Sequence, residues 1–186
     1  MRLKIGQAAP LFDAIDLDGR RLSLASYRGT RVLLSFYRAA SCPLCNLRLW
    51  HLIDRSLVYR RQGLALIAFF ESSAQIAHQH LDHLRPPFPV VPDLERKVYG
   101  LYGLESSLMG LARARLLRGA DYREASEKGL CARPMRSLLQ ADGHFARMPA
   151  EFLLGPDLRI RTAYYGHDAG DFLLFSEIDA FLEDIA

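Results

Sequence analysis

Apolar and polar positions along this chain follow two rhythms. Residues 30–38, TRVLLSFYR, form a nearly unbroken apolar run, and LALIAFF at 64–70 repeats it. Such runs predict strands buried on both faces. From Pro43 to about Gln62 the pattern changes. Leu44, Leu47, Trp50, Ile53 and Leu57 recur every three or four residues, which is one face of a helix. Pro43 suits its first turn and Gly63 its end. SAQIAHQHLDHL (73–84) predicts another helix, with His78, His80 and His83 on its surface and Pro86 and Pro87 beyond it. FPVV (88–91) reads as a short extended piece and LERKVYGLYG (94–103) as a further helix.

Hairpins flank this alternating middle. LFDAIDL (11–17) and RRLSL (20–24) meet at Asp18-Gly19, a strong turn signal. PAEFLLGPDLRIRTAYYG (149–166) predicts two strands around GPDL, and FLLFSEIDAFLEDI (172–185) a closing amphipathic helix. Residues 105–140 interrupt the order. SSLMGLARARLLRGA reads as a basic amphipathic helix, DYREASEKG as a second short one, and CARPMRSLLQADG as ambiguous. This stretch is expected to be a helical insertion before the last hairpin. Strands alternating with helices predict an α/β fold. The expected form is one domain over residues 1–186, an α/β/α sandwich with a mixed central sheet.

Composition narrows the function. With 186 residues, 50% hydrophobic and 24% charged, the chain has the make-up of a globular domain with a sizeable core. Its net charge of +3 is carried almost wholly by arginine, the lysines being Lys4, Lys97 and Lys128. No clustered basic run with interleaved aromatics appears, so no nucleic-acid partner is expected. MRLKIGQAAPLF has no apolar signal region, and no apolar run approaches the ~18 residues of a membrane span. A cytoplasmic location without membrane contact is the expectation.

The cysteines add the chemistry. Cys42 and Cys45 lie two residues apart around Pro43, where the first core strand gives way to its helix. Such a pair can be a redox couple, half a metal site, or filler. A zinc site would need a second ligand pair, and neither Cys131 nor the histidines supply one at finger spacing. Buried filler cysteines belong within strands rather than at a strand-to-helix turn. Redox chemistry suits the position. A thiol attacks only as the thiolate, and a helix N-terminus stabilises that anion with unpaired N–H groups and the positive end of its dipole. Arg38, ending the preceding strand, adds positive charge, and the spacing allows a local disulfide with little backbone movement.

On these residues the chain resembles the peroxiredoxin-like (AhpC/TSA) branch of the thioredoxin-fold superfamily. IGQAAPLFDAIDLDGRRLSLASYRGTRVLLSFYR carries a Gly-x-x-Ala-Pro-x-Phe start, the Asp-Gly hairpin and a Leu-x-x-Tyr-x-Gly lead into the first core strand. FPVVPDLERKVYGLYGLE and MPAEFLLGPDLRIRTAYYG resemble the family's middle segment and late hairpin. The departure is local. Where the family has Pro-x-x-x-Thr-x-x-Cys, this chain reads RAASCPLC, with Arg38 in place of the proline, Cys42 in place of the threonine and Cys45 at the peroxidatic position.

The resemblance implies a thiol-dependent antioxidant oxidoreductase without a cofactor. In one reading Cys45 attacks a peroxide and Cys42 condenses with the sulfenic acid. In another, Cys42 attacks a disulfide and Cys45 resolves it. A thioredoxin- or glutaredoxin-like reductant would restore either form, and the fold allows a homodimer. Cys131 is a further resolving candidate. The resemblance also implies that Pro149 is cis and shapes a substrate groove facing the thiols. A copper chaperone or sensor, with His167 as third ligand, is a third reading. Asp171 is expected to cap the last helix.

Overall fold

The computed structural model of the protein describes residues 1–131 and 143–183. Strands β1 (Asp13–Ile15) and β2 (Arg21–Ser23) pair antiparallel as the first hairpin. The core elements follow: β3 (Arg31–Phe36), α1 (Pro43–Arg61), β4 (Leu64–Phe70), α2 (Ala74–Leu81), β5 (Val90–Pro92) and α3 (Lys97–Leu101). Helices α4 (Leu108–Leu117) and α5 (Gly119–Glu127) fall within the expected insertion. CARPMRSLLQADG lies outside the described residues except at its two ends, Cys131 and Gly143. Strands β6 (Ala150–Leu154) and β7 (Ile160–Tyr165) and helix α6 (Phe175–Glu183) complete the chain.

The main sheet runs β5-β4-β3-β6-β7. Its β3, β4 and β5 are parallel, while β6 and β7 join antiparallel. The thioredoxin-like mixed sheet expected from the sequence is therefore present. Pairing of β3 on both sides explains its apolar run. Val32, Leu34 and Phe36 enter one core with Phe12, Leu24, Tyr99 and Phe152. Leu33 and Tyr37 enter the other, with Leu49, Leu52, Phe70 and Ile178. Fully burying one such side chain stabilises by about 1.5–3 kcal/mol.

Of the elements shorter than the sequence predicts, two have a visible cause. The helix expected over 73–84 ends at Leu81 and tightens into a 3-10 turn, Asp82–Leu84. Arg85 follows with left-handed backbone, so the α-helix cannot continue. Likewise α3 starts only at Lys97, because the buried Asp93 carboxylate accepts from the N–H groups of Lys97, Val98 and Tyr99. That caps the helix three donors at a time and fixes where it begins. Among the described residues no helix is long and apolar enough to cross a membrane.

Candidate active site

The pairing of β3 with β4 carries on past the strand ends into the site. Tyr37 N–H donates to the Phe69 carbonyl (2.9 Å), and Glu71 N–H to the Arg38 carbonyl (3.2 Å). The chain then turns into α1. Ala40 N–H donates to Ser72 Oγ (2.9 Å), Asn46 Nδ2 to the Ala40 carbonyl (3.0 Å), and Cys42 N–H to the Ala39 carbonyl (3.0 Å). Cys42 occupies the N-cap with extended backbone, and Pro43 opens the first turn, where its missing N–H costs nothing.

Both thiols of the pair are free and buried, Cys42 8% exposed and Cys45 wholly enclosed. Their environments differ. The Cys45 thiol donates to Cys42, and this chiefly lowers Cys42 to about 6, against the opposing cost of burial. The Arg38 guanidinium and the backbone N–H groups of Cys45 and Leu44 add to the effect. Burial pushes Cys45 well above the usual thiol range, and the proton it shares with Cys42 holds it there. Both directions favour a Cys42 thiolate beside a Cys45 thiol.

Arg38 serves both sulfurs. Its backbone N–H donates to Cys45 Sγ (3.4 Å), and Nη1 of its side chain to Cys42 Sγ (3.7 Å). Its other amino group donates to the Phe145 carbonyl. The buried Nε–H has no acceptor among the described residues.

A strap over residues 143–149 borders the site, and sequence reading missed it. Glu71, just past β4, accepts from His144 N–H (2.9 Å) and Arg147 Nε (2.6 Å). Gly143 has φ of +82°, and a Cβ there would strike the Glu71 carbonyl. On its other side the strap meets the approach to α4, where Ser107 N–H donates to the Ala146 carbonyl (2.8 Å). Its partners lie more than seventy positions apart in the chain, so no local pattern announces them.

Beneath α1 lies a second unforeseen feature. The fully buried Glu151 accepts from Arg48 Nε (3.0 Å) and Nη2 (2.7 Å), from Ser35 Oγ (2.6 Å) and from Leu173 N–H (3.0 Å). A carboxylate at an inward position of the apolar strand AEFLL was its one sequence signal.

The structure also places the remaining expected residues. No cis peptide occurs among the described residues, so the expected cis Pro149 is corrected to trans. Trans backbone suits its place. Pro149 enters an antiparallel ladder, its carbonyl accepts from Gly166 N–H (2.9 Å), and its ring packs against the bare Cα of Gly166. It lines a cleft of about 270 Å³ with Glu105, Ser107, Met148 and His167, and neither Cys42 nor Cys45 lines it. Asp171 does not cap α6, which begins at Phe175. Its carboxylate instead accepts from Tyr164 Oη (2.7 Å), His167 N–H (2.8 Å) and Arg118 (3.4 Å), closing the loop after β7. Cys131 packs in a satellite cluster with Leu47, Ala125, Leu130 and Trp50, separate from the core that holds the pair. Among the described residues no three His, Cys, Asp or Glu side chains gather as a metal site.

The chain is similar to several known proteins. Residues 5–163 match the model of the AhpC/TSA family. A Mycobacterium tuberculosis protein named "Putative peroxiredoxin Rv2521" is 30% identical over 150 residues, covering 79% of this chain and 93% of that one. The thiol-disulfide oxidoreductase ResA of Bacillus thuringiensis is 28% identical over 104 residues, 55% of this chain and 60% of its own. In fold, the crystal structure of peroxidoxin BcpB from Mycobacterium tuberculosis superposes with a TM-score of 0.68 at 16% identity, covering 100% of this chain and 99% of that one.

Proposed function

The chain belongs to the AhpC/TSA family, and on that footing we propose that it is a thiol-dependent oxidoreductase that reduces peroxides through Cys42 and Cys45. The observation that carries the reading is the unequal pair. A thiolate at Cys42 stands ready to attack, and a protonated Cys45 is positioned to resolve. This reverses the roles implied by alignment, in which Cys45 attacks. Burial of both sulfurs suits a small electrophile.

In the first step Cys42 Sγ attacks one peroxide oxygen. The O–O bond breaks, the Cys42 sulfenic acid forms, and the other oxygen leaves as an alcohol or water after taking up a proton. Positive charge from Arg38 at Cys42 stabilises the thiolate before attack and the oxyanion that forms during it. In the second step Cys45 loses its proton and attacks the sulfenic sulfur. Hydroxide leaves as water, and a Cys42–Cys45 disulfide remains. A thioredoxin- or glutaredoxin-like dithiol would then reduce that disulfide by exchange.

Disulfide exchange is the second reading. It rests on the same Cys42 thiolate at a helix N-cap and on the likeness to ResA. It differs only in the electrophile.

Stopped-flow reaction of the reduced protein with hydrogen peroxide, with mass spectrometry of the products, tests both. The expected result is that Cys45→Ser still reacts quickly and stops at Cys42 sulfenic acid, while Cys42→Ser does not. If the wild type reacts no faster than a free thiol yet reduces a small disulfide, the second reading replaces the first. If Cys42→Ser keeps the fast reaction, the roles revert to those of the alignment.

A further inference from the structure

Helix α4 leaves large apolar residues facing out. Its buried positions are Gly110 and Ala114, the two smallest side chains it has apart from Ala112. Gly110 lets the helix settle directly on Met148 and the His167 carbonyl. Leu111 packs against the core beside Ala114, and the opposite side carries further large apolar residues. Leu108, Ala112 and Leu116 recur every fourth position, and Met109 lies beside them, so all four share one side. Leu108 is 67% exposed, Met109 79% and Leu116 84%. The sequence predicts a basic amphipathic helix here, but the helix is apolar on both sides. A helix of that kind is normally covered on both, and contiguous exposed apolar surface marks an interaction site.

Charge identifies what would cover it. Arg113 and Arg115 sit at the two margins of the outward stripe, one on each side. Neither forms an ion pair among the described residues, and α4 contains no acidic residue. A second copy of the chain laid on this face would set arginines against arginines. An anionic surface meets both demands. An apolar ridge ~15 Å long with arginines along both edges matches a helix lying in the plane of a bilayer. The ridge enters the acyl boundary, and the guanidinium groups reach the headgroups on either side. An acidic protein would satisfy the charges but gives no reason for the outward leucines and methionine to stand between them. We propose that α4 is a peripheral docking surface for an anionic lipid bilayer. The proposal does not depend on which electrophile the thiols reduce.

Flotation of the full chain with vesicles tests it. At low salt, vesicles of equal parts phosphatidylglycerol and phosphatidylcholine are expected to carry about tenfold more protein than phosphatidylcholine alone. The double variants Leu108→Ser/Leu116→Ser and Arg113→Gln/Arg115→Gln are each expected to abolish the difference. Their Cys42 alkylation rates are expected to stay unchanged, which separates a lost surface from a lost fold. The proposal is overturned if wild type ignores anionic vesicles, or if it floats and neither double variant reduces that. It is also overturned if light scattering finds a dimer that Leu108→Ser/Leu116→Ser turns into a monomer, since the face is then an interface between copies.

Discussion

Arg38 reaches Cys42 with its guanidinium at 3.7 Å while its other amino group holds the Phe145 carbonyl, so one side chain links the thiolate to the strap. Replacing Arg38 by leucine removes the cation and is expected to raise the Cys42 thiol toward its ordinary value. The higher value lowers the thiolate fraction on the acid limb. Ultraviolet titration of the thiolate measures it, with circular dichroism to confirm the fold.

In wild type the Cys42 thiolate is expected to half-titrate at about 6. The alkylation rate with iodoacetamide should therefore be level at neutral pH and fall below that point. Cys45→Ala removes the donor most responsible for the shift and is expected to move the midpoint upward. An unchanged midpoint in Cys45→Ala would assign the shift to the helix and Arg38 instead.

The same pair makes stability depend on pH in the reduced protein. Cys42 is lowered on folding, so its contribution is fully present above the unfolded thiol value of about 8.5 and is lost as pH falls toward about 6. Cys45 is raised, so its contribution is present below that unfolded value and is lost at higher pH. Stability therefore rises from pH 6 to a maximum near the unfolded thiol value and then declines. Urea midpoints of the reduced protein across this range, against those of the Cys42→Ser/Cys45→Ser variant, read the difference.

Arg48 and Glu151 are both buried, at 6% and 0% side-chain exposure. Glu151→Leu alone strands a guanidinium in the core and is expected to cost about 3–5 kcal/mol. Arg48→Met added to it is expected to recover most of that loss, since apolar packing can replace a buried ion pair. Urea denaturation of the two variants decides it. An equal loss in both would mean that the packing, not the stranded charge, sets the cost.

The strap depends on a second buried pair, Arg147 with Glu71. Phe145 within it is exposed. Arg147→Ala is expected to speed chymotryptic cleavage after Phe145 several-fold. Cleavage at the wild-type rate would show that the contacts of Arg38, His144 and Ser107 hold the strap without Arg147.

Much of this molecule could be read from local pattern, because its core elements are long or strongly patterned. The apolar run of β3, the extent of α1 up to Gln62-Gly63, and the cysteines at the junction survive as expected; the inward face of α1 does not, since Leu49, Leu52 and Tyr59 are buried while Leu57 is exposed. Local signals failed where distant residues decide. Pro149 was expected to be cis from a resemblance, yet its backbone simply starts a ladder beside Gly166. Asp171 looked like a helix cap until Tyr164 and Arg118 claimed its carboxylate. Which thiol bears the charge was also hidden. The sequence offered Cys45 by its alignment and Cys42 by its Cys-x-x-Cys position, and the proton that Cys45 shares with Cys42, present only in the folded chain, favours the charge on Cys42.

Strand β3 sends alternate side chains into two cores and is paired along both edges. Neither layer can peel away without exposing the other, because the same backbone supports both. Heat should therefore melt the two layers in a single calorimetric transition, with the amides of β3 the last to exchange their hydrogens for deuterium. The sulfur chemistry is mounted at the end of the part of the molecule that opens least often.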